Sequence, residues 1–296
     1  MEKERKIQEV EEFLEYLKVI KKHSENTISS YKKDILEFYN LNNNSINISK
    51  DIINNYLNNE YNKNSSKNTI SRKLSSLRTF YNYLLKKGEI DINYFANIKN
   101  PKKEKSLPKY VKGNDIDKMF EVPDTNTKFG QRNLLIMRLL YATGLRISEL
   151  INIKIKDINI KERTIKVLGK GSKERIVVFG NNGKECLEEY LNHGYKELNT
   201  KNSEYLFLNK DGSKLTDRYV RKMLDDVIIK ASIKMHVSPH MLRHTFATNC
   251  ISLGCDYKTV SELLGHANVN ITLNLYVHPN NDEKKRCIEK MLKNIL

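Results

Sequence analysis

The chain has 296 residues, 52 of them Lys or Arg against 36 Asp or Glu, for a formal net charge of +16. That length accommodates two domains, each large enough for its own core, and the basic excess points either to a polyanionic partner, nucleic acid before membrane, or to a Lys/Asn-rich surface of biased composition. No apolar run reaches the roughly 20 residues of a membrane span, MEKERKIQEVEEF holds no signal-peptide core, and Cys186, Cys250, Cys255 and Cys287 show no CxxC or zinc spacing; a membrane protein and a disulfide framework are excluded, and a soluble cytoplasmic chain with reduced thiols is expected.

Residues 1–100 read as helices alone. Ile7, Val10, Phe13, Leu14, Leu17 and Ile20 keep helical spacing, as do Ile28, Tyr31, Ile35 and Phe38 after a cap at Ser24 to Thr27. A shorter segment carries Ile52, Ile53, Tyr56 and Leu57. The fourth, from about Lys67 to Lys87, lines up Ile70, Leu74, Leu77, Tyr81 and Leu84, with Lys67, Arg72, Lys73 and Arg78 off that stripe. Those four basics are either solvated surface charges or contacts to the phosphates of duplex DNA. Asn-rich loops are expected at 42–47 and 58–68. A proline-bracketed charged linker over 101–108 divides the helical domain from a second domain, 109–296.

The second domain is mixed, so the chain is mainly α with a small antiparallel β-sheet (α+β). Leu134 to Tyr141 forms a buried helix stopped by Gly144, and Ser148 is expected to cap a short helix holding Glu149. Alternation over INIKIKDINI (151–160), TIKVL (164–168) and RIVVF (175–179) predicts three antiparallel strands, with Lys170 at the tip of the last hairpin. Helices follow at 183–196 and 216–231, with a short strand at 204–208.

Chemistry concentrates in Ser238 to Tyr276. Ser238-Pro239 is a strong helix start, and it puts His240 in the first turn with Arg243 three residues on. Together with the helix N-terminus these two could hold a phosphate; equally, they could cap and salt-bridge. His236 and His244 complete a four-residue spacing with His240, but Pro239 separates His236 from the helix and no HExxH glutamate follows, so no metal site is expected. Arg146 lies directly after a core helix, where a charge needs a partner; Glu149 is one, a phosphate the other. Leu263-Leu264-Gly265-His266 ends a helix and Ile271 to Tyr276 resumes one. Tyr276 is one of 16 tyrosines, and a nucleophilic tyrosine needs cations or a base around it, since an unperturbed phenol titrates near ~10.

Taken together, these stretches resemble the tyrosine recombinase (phage integrase) family. TGLRISEL (143–150) resembles its first-arginine box, LGKGSKER (168–175) its lysine turn, HMLRHTFAT (240–248) its HxxR box, and LLGHANVNITLNLY (263–276) the stretch with the last histidine and the tyrosine. SENTISSYKKDILEFY and TISRKLSSLRTFYNYLLKKG resemble the helical core-binding domain of Xer-type recombinases. The ten residues from His266 to Tyr276 exceed the usual Xer spacing by one and match many mobile-element integrases, whereas the chain length is Xer-like and an additional N-terminal arm-binding domain is not expected.

The resemblance implies a SAM-like DNA-binding domain followed by a catalytic domain. It assigns Tyr276 as the nucleophile that forms a 3′-phosphotyrosyl link, Arg146 and Arg243 as ligands of the non-bridging oxygens, and Lys170 as the acid for the leaving 5′ oxygen. His240 would move the tyrosine proton and His266 would hydrogen-bond the phosphate. No cofactor is implied. The partners implied are double-stranded DNA and either three further copies in a homotetramer or copies combined with a paralogous recombinase. The stripe Ile288, Met291, Leu292, Ile295 and Leu296 would dock on a neighbouring protomer or on its own domain. Competing readings are a type IB topoisomerase, a DNA-binding module that no longer cleaves and, more distantly, a zinc enzyme.

Overall fold

The computed structural model describes residues 2–42, 45–102, 110–169 and 174–265, with side chains from Gln8 onward. The chain divides into two compact units, Met1–Ser106 and Leu107–Leu296.

The first unit holds four helices, α1 (Glu2–Val19), α2 (Glu25–Leu41), α3 (Lys50–Asn62) and α4 (Lys67–Lys87). Serines start three of them: Ser24, Ser49 and Ser66 accept from the backbone N–H groups of Thr27, Ile52 and Thr69, satisfying donors that the helix itself leaves unpaired. The apolar stripes meet in an aromatic core in which Phe38 packs edge-on against Phe95 at 5.4 Å and Phe13 against Phe80 at 5.1 Å. The expected loop at 58–68 is shorter than its composition suggests. Helix α3 runs on to Asn62 because Glu60 is fully buried and bonded to Lys73 of α4 at 3.0 Å; a polar residue with a buried partner extends the helix where composition alone predicted a loop.

The second unit comprises α5 (Gly113–Glu121), α6 (Lys128–Thr143), α7 (Ile147–Leu150), β1 (Ile158–Asn159), β2 (Thr164–Leu168), β3 (Glu174–Val178), α8 (Asn181–Asn192), α9 (Gly194–Leu198), α10 (Asp217–Lys230), α11 (Pro239–Ser252) and α12 (Tyr257–Leu264). The sheet is antiparallel in the order β1-β2-β3, with Lys166 opposite Ile176 and Leu168 opposite Glu174. Helix α6 is buried along most of its length and ends at Gly144, in the left-handed conformation at φ 59°.

Three local expectations are corrected. The run 151–160 is mostly not a strand: after α7 comes a 3-10 turn, Ile155–Asp157, and only Ile158–Asn159 pairs with β2. Its alternation reflects a brief pairing with the 204–206 segment, where Leu206 N–H donates to Ile153 O and Ile155 N–H to Glu204 O, both at 2.9 Å. The expected strand at 204–208 is correspondingly reduced to isolated bridges at Tyr205 and Leu208. The short helix after α6 is entered at Arg146 rather than Ser148: Arg146 is its N-cap, and its backbone N–H donates to Glu149 Oε2 at 2.8 Å, the returning half of a capping box.

Among the described residues no helix is long and apolar enough to cross a membrane.

Candidate active site

Two segments distant in sequence meet on one carboxylate, and a third, the end of α12, packs on the arginine that grips it. Glu149, on α7, is 4 % exposed. Its Oε1 accepts from Arg146 Nη1 at 2.8 Å and from Arg175 Nη1 at 2.7 Å, while Oε2 accepts from the Arg146 backbone at 2.8 Å and from Arg175 Nη2 at 2.8 Å. Arg175, on β3, therefore grips Glu149 fork to fork, and its Nε donates to Leu263 O near the end of α12 at 3.3 Å.

Arg243 enters from α11. Ser238 caps that helix by accepting from Met241 N–H, and Pro239 occupies its first turn as the sequence predicts. His240 lies on the exposed side and Arg243 on the buried side. The Arg243 guanidinium donates to Gly144 O at 2.5 Å and to Leu264 O at 2.6 Å, the carbonyls at the ends of α6 and α12. These groups sit at the negative ends of helix dipoles, where a cation is stabilised. Arg146 reaches the same turn, with Nη2 at 3.4 Å from Gly265 O.

The electrostatics follow from this crowding. Burial is the largest influence on Arg243 and, with Arg146 and Arg175 nearby, pushes its guanidinium down to about 10 against the opposing pull of Glu149; it stays charged at neutral pH. Burial pushes the Glu149 carboxyl up, but hydrogen bonds from Arg175 and Arg146 outweigh it and hold the group below its ordinary value. Three guanidiniums against one carboxylate leave a local charge of about +2, a setting for an anion. Beside it opens a cleft of about 230 Å³ lined by Glu149, Lys154, Lys156 and Lys166. Lys154 and Lys166 pair there with Glu204 and Glu174, each at 2.7 Å.

The structure thus brings Arg146 and Arg243 together, with both alternatives for Arg146 still available: Glu149 is its partner, and N–H groups remain for an anion. Lys170, His266 and Tyr276 lie outside the described residues, as do Cys287 and the 288–296 stripe. His236 points elsewhere, with Nδ1 3.4 Å from Asp225. Arg175 went unsingled in the sequence. Its signal was its place in a strand, two residues before buried Val177 on the inward side, where alternation calls for an apolar residue.

The four basics of α4 have internal attachments. Lys73 is 7 % exposed and bonded to Glu37 at 2.8 Å and Glu60 at 3.0 Å. Arg72 is paired with buried Asp34. Arg78 donates to Phe95 O at 3.2 Å and Ile98 O at 2.8 Å. Lys67 stands at the start of α4 and also makes contacts. Lys73 is consequently fixed in the helical core, with its ammonium held by the acids of α2 and α3.

Comparison with known proteins identifies the family of the chain. The family model described as "Phage integrase family" matches residues 109–283, and "Phage integrase, N-terminal SAM-like domain" matches 10–88. A tyrosine recombinase XerC from Anoxybacillus flavithermus is 41% identical over 278 residues, covering 91% of this chain and 92% of that protein. One from Staphylococcus haemolyticus is 40% identical, covering 93% of each. The crystal structure of a XerH site-specific recombinase bound to a palindromic difH substrate, in a post-cleavage complex, is 28% identical with a TM-score of 0.68, covering 82% of this chain and 74% of that one. A lambda integrase dimer on a core site has the same fold, with a TM-score of 0.71. With the integrase model spanning more than half its length and XerC relatives matching nearly all of it, the chain belongs to the phage integrase family of tyrosine recombinases and is Xer-like.

Proposed function

We propose that this protein is a Xer-like site-specific recombinase that cuts and rejoins double-stranded DNA through a 3′-phosphotyrosyl intermediate at Tyr276. The observation that carries this reading is the clustering of three guanidiniums, Arg146 and Arg175 on the Glu149 carboxylate and Arg243 on the adjoining carbonyls of Gly144 and Leu264, a cationic seat whose outer donors suit the non-bridging oxygens of a phosphodiester. Arg146 and Arg243 stabilise the pentacoordinate transition state, in which negative charge accumulates on those oxygens. Lys170 protonates the departing 5′ oxygen, His240 takes the tyrosine proton, and His266 hydrogen-bonds the phosphate. Religation reverses the step, and the phosphotyrosyl bond retains the energy of the phosphodiester, so no external energy source enters.

Relatives crystallised on their DNA substrates support duplex DNA as the partner. Exchange between two duplexes calls for four active sites, so the working form is proposed to be a homotetramer, or a mixed tetramer with a paralogous recombinase, in the cytoplasm where the DNA is. The XerC names of relatives at about 40% identity favour this reading over a mobile-element integrase.

The test is to incubate wild type and Tyr276→Phe with a genomic-library DNA in the absence of magnesium and to look for detergent-resistant protein–DNA adducts. Adducts with wild type alone are expected, and sequencing their trapped ends identifies the site. Adducts with both proteins would reassign the nucleophile; binding without adducts from either would favour a DNA-binding module.

A further inference from the structure

We propose that Arg175 is a positioning residue of this site: it locks the Glu149 carboxylate against the end of α12, so that Arg146 and Arg243 are held at a fixed spacing for the phosphate. The inference rests on the recombinase reading above and adds to it a residue that touches no substrate atom.

The argument begins with what burying this guanidinium demands. The Arg175 side chain is 12% exposed, and a cation withdrawn from water persists only where acceptors replace its hydration. All three of its nitrogens have one: Nη1 and Nη2 on the two oxygens of Glu149, and Nε on Leu263 O. A guanidinium engaged at all three nitrogens by its own protein, two of them on one carboxylate, is placed to orient its neighbours.

What it orients is set by connectivity. Each Glu149 oxygen takes one hydrogen bond from Arg175 and one from Arg146. With Arg175 on its far edge, the carboxylate cannot rotate to take both terminal nitrogens of Arg146, whose Nη2 instead turns toward Gly265 O. The turn after α12 is seated directly on the arginine: Gly265 has φ 61°, and a Cβ there would fall 2.8 Å from Arg175 Cδ. That turn follows Leu264, whose carbonyl holds Arg243, and in sequence it leads to His266. One side chain on β3 thereby couples the segment carrying Arg146, the acceptor of Arg243 and the start of the histidine–tyrosine stretch. A lysine keeps the charge but loses the planar fork that binds both carboxylate oxygens.

The full-length protein is compared with Arg175→Lys, Glu149→Gln and the Glu149→Gln/Arg175→Lys pair. On a duplex bearing the site sequenced from wild-type adducts, Arg175→Lys should bind within about twofold of wild type while forming adduct roughly 10- to 100-fold more slowly, the usual consequence of catalytic groups displaced by about an ångström. In the Glu149→Gln background the same change should cost less than about twofold, because its route of action is already broken. A wild-type adduct rate in Arg175→Lys, or full additivity with Glu149→Gln, overturns the proposal. If Arg175→Lys melts below the assay temperature, Glu149→Gln/Arg175→Gln, which removes the Arg175 cation together with its carboxylate partner, is compared with Glu149→Gln alone: equal rates support the proposal and a further tenfold loss overturns it. A separate arm uses sodium sulfate as the anion, at ionic strength matched with sodium chloride. The melting midpoint of wild type should rise with sulfate and that of Arg175→Lys should rise less. If wild type forms no adduct on any DNA, the recombinase reading fails and this arm alone decides: equal sulfate responses overturn the positioning role.

Discussion

Lys73 Nζ lies 3.0 Å from Glu60 Oε2 and 2.8 Å from Glu37 Oε2, and the Glu60 side chain is wholly shielded from solvent. The ammonium is the buried cation between two acids of neighbouring helices, and its removal leaves Glu60 to the hydroxyl of Ser65 at 2.9 Å and to half-exposed Lys63 at 3.6 Å. Replacing Lys73 by Met should cost about 3–5 kcal/mol of stability, the penalty for breaking a buried pair from one side, read from the urea midpoint. DNA affinity of the folded fraction should stay within about twofold. A large affinity loss with unchanged stability would return Lys73 to the phosphate-binding face.

Arg243→Lys retains a charge but cannot reach Gly144 O and Leu264 O together. A fall of about 10²–10³-fold in the rate of covalent adduct formation is expected from losing a preorganised donor, with about 1–3 kcal/mol of destabilisation for a carbonyl left unsatisfied. Single-turnover kinetics alongside a denaturant titration separates the two effects.

Gly144→Ala tests the turn between α6 and Arg146. At φ 59° a side chain is strained, and its Cβ would stand 2.7 Å from both Leu264 Cδ2 and Phe246 Cδ1. The variant should lose about 2–4 kcal/mol from overpacking and backbone strain combined. Because the displaced carbonyl is an acceptor of Arg243, adduct formation at a temperature where the variant remains folded should fall as well.

The acid side of the stability profile has a defined sign. Arg175 and Arg146 hold the Glu149 carboxyl below 4.5 in the folded chain, so the unfolded chain binds the proton more readily. The stability that this carboxylate contributes is therefore complete above its unfolded pKa and disappears as pH falls through the folded one. The difference in urea midpoint between wild type and Glu149→Gln should be widest above about pH 5 and should shrink below it. Subtracting the two curves cancels the contribution of other carboxylates, and a difference independent of pH would contradict the assignment.

Helix starts and stops were the most legible part of the sequence, because they are written locally: Ser24, Ser238-Pro239, Gly144 and Gly265 each act on their own turn. The polar identities of the site were legible as well, since Arg146 and Arg243 sit beside strong helix punctuation. The isoleucine alternation of 151–160 misled because a strand and an irregular turn with isoleucines at alternate positions look alike until the pairing partner is known, and that partner is some 50 residues away. Arg175 was hidden for a related reason. Within the hairpin it is one of several basics, and its inward register beside Val177 becomes telling only once α7 and α12 are seen to close over it. Lys73 reads as a surface charge by helical spacing, and its burial comes from acids on two other helices.

The seat of Arg243 has a bearing on how this protein tolerates change. Both of its hydrogen-bonded acceptors are main-chain oxygens, one from Gly144 and one from Leu264, and exchanging a side chain deletes neither. Side chains along α6 and α12 are thus free to drift over generations, provided the two helix ends keep their places, without unseating the arginine. A random mutagenesis screen for inactive protein should accordingly find this contact damaged through Arg243 itself or through the glycine turns, and seldom through the residues packed around it.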